Sequence, residues 1–152
     1  MRYLVDANIL SEATRREPDS VVVGWLEAHE PELVIDAIVL GELAVGVERL
    51  PEGNKRARLE EWFSKFVETI ECLPWDAAIS REWARLVVDL RRRGLRMPLF
   101  DSMIAATARA HGLTVVTRNV RDFEPAGVEV LNPFPDGGPS AAVHEPHASN
   151  GP

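Results

Sequence analysis

PLFDSMIAATARAHGLTVVTRNVRDF, residues 98–123, is the stretch that decides the fold class of this 152-residue chain. Pro98 opens and Gly112 closes a helical pattern over 99–111, the proline-early, glycine-late asymmetry of a helix. LTVVT (113–117) follows at once, an apolar run of strand length with β-branched residues throughout its centre. A helix that feeds directly into a strand apolar on both faces belongs to a parallel sheet covered by helices. One residue does not suit that reading. Asp101 shares the helix face of Ile104, Ala105 and Ala108, where a carboxylate is costly unless it is paired or holds a cation.

Reading outward, the same alternation covers most of the chain. Short apolar runs at 2–6 (RYLVD), 33–36 (LVID), 69–73 (TIECL) and 128–131 (VEVL) read as further strands. Helical patterns fill the gaps. Residues 19–29 open with the cap-like Asp19 and carry Val22, Trp25 and Leu26, and 37–49 follow the second strand. Residues 54–68 carry a stripe of Leu59, Trp62, Phe63, Phe66 and Val67. Residues 76–93 repeat Ile79, Trp83, Leu86 and Leu90 and end at Gly94. The expectation is an α/β fold: one domain over 1–135, with a central parallel sheet of about five strands flanked by helices. The helices at 54–68 and 76–93 are expected to form a protruding pair or one covering layer. From Asp136 onward aromatic and branched aliphatic residues give way to Gly, Pro, Ser and Ala, so 136–152 is expected to be a disordered tail, with His144 and His147 incidental to function. No internal repeat is present.

Three more acids interrupt apolar surroundings as Asp101 does. Asp6 ends the first apolar run, Glu42 breaks the apolar face of IVLGELAVGV, and Asp122 follows the fourth strand by a few residues. Each has an ordinary structural reading. Asp6 serves as a turn residue ending a strand, Glu42 reaches solvent from the edge of a stripe, Asp101 favours a helix dipole, and Asp122 makes a local turn. Asn8 reads either as the cap of a short helix around Leu10–Ala13 or as a group orienting Asp6. Four coincidences in one small domain are harder to accept than one metal site. In an open α/β sheet such a site gathers outside the carboxyl ends of the strands, which Asp6 and Asp122 already occupy. Oxygen-only ligands select Mg2+, with Mn2+ as the alternative, and the chemistry they support is phosphodiester hydrolysis.

Composition narrows the classes. A net charge of −7 and a pI near 5.1 give no basic field to attract nucleic acid by bulk charge, but they leave room for a metal-dependent nuclease, whose cations supply local positive charge. Cys72 is the lone cysteine, so intrachain disulfides and thiolate metal clusters are excluded. MRYLVDAN lacks the apolar core of a signal peptide and no apolar run reaches spanning length, so the expected location is the cytoplasm, with no membrane partner. Lysine is nearly absent: Lys55 and Lys65 lie in one helical pattern and the other fifteen cations are arginines. A phosphatase using Asp6 as nucleophile would need a lysine at a strand end, and this chain has none.

With those residues assembled, the chain resembles the PIN-domain family, and within it the VapC-like toxins of toxin–antitoxin pairs. The resemblance is carried by LVDANILSE (4–12), GELAVGVERL (41–50), the opening stretch at 98–123, and VLNPF (130–134), in family order along nearly the whole chain before the tail. It implies that Asp6, Glu42 and Asp101 are the three core metal-binding acids, that Asp122 is the fourth, and that Thr117 and Asn119 are polar residues near the site. It further implies a Mg2+-dependent endoribonuclease that cuts RNA such as tRNA or rRNA and stops translation. The implied partners are a VapB-type antitoxin and a second copy of the chain, with operator DNA reached only through the antitoxin. Two positions depart from the family pattern. Asp36 stands where a hydroxyl residue is frequent, and is read as the cap of the 37–49 helix; Val39 replaces a frequent threonine. Arg15, Arg16, Arg91, Arg92, Arg93, Arg96, Arg118 and Arg121 are candidates to hold RNA, each with an alternative reading as solvated surface. Trp25 and Leu26 are read as core, with an antitoxin contact as the alternative. A non-catalytic PIN-like scaffold that binds RNA or a partner is the other functional reading.

Overall fold

A computed structural model describes residues 1–135 of the chain. The expected tail at 136–152, with its two histidines, lies outside the described residues. Five strands, β1 (Tyr3–Val5), β2 (Leu33–Asp36), β3 (Glu71–Leu73), β4 (Thr114–Val116) and β5 (Val130–Leu131), form one sheet in the order β3-β2-β1-β4-β5. Every pairing is parallel, as the apolar runs predict. Among the described residues seven helices connect them: α1 (Ala7–Ala13), α2 (Ser20–Ala28), α3 (Ala37–Glu48), α4 (Asn54–Thr69), α5 (Ala77–Arg92), α6 (Leu99–His111) and α7 (Val120–Phe123). Single 3-10 turns at Glu30–Glu32 and Glu124–Ala126 complete the connections.

The strand order reverses between β1 and β4. Chain direction from β1 through β2 to β3 runs to one edge, and β4 and β5 return to the other side of β1. Right-handed crossovers therefore place α1–α4 on one face and α5–α7 on the other. The core lies on both sides of the sheet, with Leu4, Val5, Val34, Ile35, Val115 and Val116 at or near zero exposure. The stripe expected on α5 is real: Ile79, Leu86 and Leu90 are buried. Trp25 and Leu26 pack against the core as expected, and Trp25 stacks on His29 with ring centroids 4.3 Å apart while meeting Tyr3 edge-on.

Three local expectations need correction. α4 and α5 do not pair; α4 packs on α3 and α5 packs on α6, because the reversal of strand order sends them to opposite faces. The first helix begins at Ala7, not near Leu10, and its cap is Asp6, whose Oδ1 accepts from the Ala7 N–H at 2.8 Å; Asn8 lies inside the helix. Asp122 sits on the short helix α7 and not in a loop.

Candidate active site

The reversal between β1 and β4 opens a crevice at their carboxyl ends, the position where open α/β sheets bind ligands. Asp6 is the residue after β1 and Thr117 the residue after β4. They meet across the crevice, with the Thr117 hydroxyl donating to Asp6 Oδ2 at 2.7 Å. The Asn8 amide donates to the same hydroxyl at 3.2 Å and to Asp6 Oδ2 at 3.4 Å, and its Oδ1 accepts from the Arg118 N–H at 3.2 Å. Asn119 contributes through its backbone: its N–H donates to Thr117 Oγ1 at 3.0 Å. Of the two roles open to Asn8, orienting Asp6 is therefore the one the fold uses.

The remaining acids reach the crevice from helices. Glu42 stands in the second turn of α3, Asp101 in the first turn of α6, and Asp122 on α7. Electrostatics registers their convergence. Burial raises the Asp6 carboxyl above its ordinary value, against the lowering effect of its hydrogen bonds, and the charges of Asp36 and Asp122 raise it further. Glu42 is raised by burial and then by Asp6 and Asp36. Asp101 is pushed up to about 7, first by burial and then by Asp6, Asp122 and Glu42. Each of the four acids thus feels, or is felt by, at least one of the others. Among the described residues no three of them lie close enough together to hold one ion as placed.

Asp36 is the fifth carboxylate nearby, and its expected role as a helix cap holds: Oδ1 accepts from the Val39 N–H at 2.9 Å. Its other oxygen has a partner that sequence reasoning missed. Thr107, fully buried on α6, donates to Asp36 Oδ2 at 2.7 Å. A hydroxyl on an all-apolar helix face was the available signal.

The residues present fit a hard divalent cation. The donor set is oxygen only, which suits Mg2+ or Mn2+. Glu42 Oε1 is buried and has no hydrogen-bond partner, an arrangement that leaves an acceptor aimed at something not supplied by the protein. The nucleophilic-aspartate alternative finds no support: both oxygens of Asp6 are already bonded, and Lys55 and Lys65 lie on α4.

A family model for the PIN domain matches residues 3–127. The chain belongs to the PIN-domain family. Similar curated proteins include the VapC ribonuclease Y4jK of Sinorhizobium fredii, 35% identical over 135 residues that span 86% of this chain and 96% of that one. The tRNA(fMet)-specific endonuclease VapC of Shigella flexneri is 32% identical over 129 residues, 84% of this chain and 93% of its own. Toxin FitB of Neisseria gonorrhoeae is 35% identical over 88% of this chain and 99% of its own. The crystal structure of FitAcB from the same organism matches with a TM-score of 0.81 at 33% identity, covering 86% of this chain and 97% of that one. Among the described residues of this chain no helix is long and apolar enough to cross a membrane.

Of the arginines considered for RNA, Arg15 pairs with Glu12 at 3.2 Å and Arg93 pairs with Asp89 at 2.8 Å. Arg118 lies over the Phe134 ring at 4.1 Å, beside the crevice. Arg16, Arg91, Arg92, Arg96 and Arg121 are exposed.

Proposed function

We propose that this PIN domain is a metal-dependent endoribonuclease and the toxin of a VapBC-type pair. The observation that carries the proposal is the convergence of Asp6, Glu42, Asp101 and Asp122 on the switch-point crevice, with Glu42 Oε1 buried and unpartnered. Resemblance to proteins named as ribonucleases supports RNA as the substrate, and the relative named for tRNA(fMet) favours tRNA within that class. The relative named as a toxin supports the antitoxin partnership; a homodimer that reaches operator DNA only through the antitoxin belongs to the same proposal.

Asp6, Glu42 and Asp101 would hold Mg2+ or Mn2+, with Asp122 completing the set. Bound there, such an ion supplies Lewis-acid polarisation of the phosphate and lowers the pKa of an attacking water. The chain's own residues do the rest. Thr117 and Asn8 fix the Asp6 carboxylate in one orientation. Asp101 holds a proton up to about pH 7 in the metal-free protein, so an ion bound there would displace that proton and keep the carboxylate ionised. Inhibition of translation follows from cutting tRNA or rRNA.

Asp6→Asn and Asp101→Asn should each lower Mg2+-dependent cleavage of tRNA at least ~100-fold while leaving the circular dichroism spectrum unchanged, the scale expected when a group that stabilises transition-state charge is removed. Cleavage by folded Asp101→Asn at the wild-type rate would reject the mechanism.

A further inference from the structure

α1 and α3 both begin at the acid crevice and lead away from it. Ser11, Gly46 and Arg49 line the cleft that contains Asn8 and Glu42, and the same three line an adjoining depression of about 450 Å³ between α1, α3 and α4. That depression is rimmed by Arg15, Arg16, Arg49, Lys55 and Arg58, with no carboxylate in its lining. On a chain of net charge −7 this is an unusual concentration of one sign. The acids near it are otherwise engaged: Glu48, Glu52 and Glu60 all gather around Arg56, and Glu12 takes Arg15. Arg16, Arg49 and Lys55 make no ion pair among the described residues, and Arg58 donates to the Thr14 carbonyl. Arg16, Arg49 and Lys55 are thus cations gathered on one rim without counter-charges, an arrangement that suits a polyanion.

The floor carries a second, independent mark. Gly41 and Gly46 lie inside α3, where glycine weakens a helix relative to alanine. A Cβ at either position would meet nothing within 4 Å, so packing inside the protein does not require glycine. Both line the cleft beside Glu42. Bare backbone facing open space is what the close approach of another chain demands.

We propose that the RNA strand leaves the acid crevice along α1 and α3, over Gly41 and Gly46, with its phosphates held by the rim of Arg15, Arg16, Arg49, Lys55 and Arg58. Arg49 caps the end of α3 seven residues beyond Glu42, about 10 Å along the helix axis, so one strand spans both. This rests on the ribonuclease reading and adds a substrate path to it. Leu43, Val47, Leu59 and Trp62 form the base of the depression, which makes an apolar protein segment the competing occupant; five cations and no acid favour RNA.

The test is binding without turnover, in the Asp101→Asn background, with fluorescently labelled tRNA in Mg2+ over a range of salt. Arg49→Ala/Lys55→Ala/Arg58→Ala should weaken Kd by at least ~10-fold and flatten the slope of log affinity against log salt by about 2–3, since each phosphate contact contributes roughly 0.7–0.9. Lys65→Ala/Arg81→Ala/Arg85→Ala carries the same charge change elsewhere and should leave both values near those of the background. Gly46→Leu changes no charge; it should weaken Kd at least ~5-fold without lowering Tm, because leucine favours helix over glycine. Unchanged Kd and slope in the rim variant, or an equal loss in the control, overturn the path and leave the depression to a protein partner. Those results leave cleavage by the wild-type enzyme untouched, whereas a wild-type chain that neither binds nor cuts RNA overturns the path and the ribonuclease reading together.

Discussion

At the scale of single residues, the Thr117 hydroxyl organises the crevice. A hydroxyl has one proton to donate and two acceptor positions. Here the proton goes to Asp6, and the acceptor positions serve Asn8 and the Asn119 N–H. Its bonding capacity is full, so the hydroxyl has one orientation and Asp6 inherits it. Asp101 has no such support, and burial, followed by the charges of Asp6, Asp122 and Glu42, raises its pKa to about 7. An unfolded aspartate ionises near 3.8, so between that pH and about 7 the folded, metal-free protein binds more protons than the unfolded chain. Stability must then fall as pH rises through this window, and the full penalty is present above it. Asp101→Asn removes the penalty. In EDTA at pH 8 the variant should be more stable than wild type by about 1–2 kcal/mol, after discounting for partial exposure, and the gain should shrink at pH 5. Thermal melts at the two pH values check this; a variant less stable at pH 8 would contradict the electrostatic account of the site.

At the scale of elements, Asp36 and Thr107 tie the two helices that carry Glu42 and Asp101. Asp36 caps α3 through Val39, and its second oxygen takes the hydroxyl of Thr107 on α6. Thr107→Val keeps the shape and deletes that donor, leaving a buried carboxylate oxygen without it. The expected loss is about 1–3 kcal/mol in denaturant unfolding, with m unchanged, the usual cost of orphaning a buried acceptor. A change below about 0.5 kcal/mol would mean that water replaces Thr107, since surface-like substitutions fall in that range. Elements with a full period were legible in the sequence. The four-three-four repeat of Ile79, Trp83, Leu86 and Leu90 marked α5, and Pro98 with Gly112 bracketed α6 to the residue. α1 and α7 were not legible in the same way, at seven and four residues. Helices that short have no periodicity to read and exist because their ends are tied to the crevice by Asp6 and Asn119.

At the scale of the whole molecule, periodicity identifies strands but not their neighbours. The order β3-β2-β1-β4-β5 is a matter of long-range pairing, and it is this order that brings Asp6 and Thr117, 111 positions apart, into contact. Asp6, Glu42 and Asp101 stood out in the sequence because each interrupts apolar surroundings. Asp122 stood out by its place a few residues past the fourth strand, and in the fold it is exposed. The rim cations Arg49, Lys55 and Arg58 did not stand out, because every one of them is an ordinary solvated helix residue until α1, α3 and α4 are assembled. Convergence of the acids makes a final demand on the assembled molecule. A ligand that binds only the folded state stabilises it by RT ln(1 + [L]/Kd), about 2.7 kcal/mol at a hundredfold excess over Kd. Mg2+ must compete with the proton that Asp101 holds below about pH 7, so its effect on Tm should be large at pH 8 and should fade as pH drops through 7. Glu42→Gln and Asp101→Asn should each remove most of the Mg2+ shift at pH 8, whereas Lys65→Ala, on the exposed face of α4, should retain it in full. Equal Mg2+ shifts in wild type and in Glu42→Gln would place the ion elsewhere, and the buried, unpartnered Oε1 of Glu42 would lose its explanation.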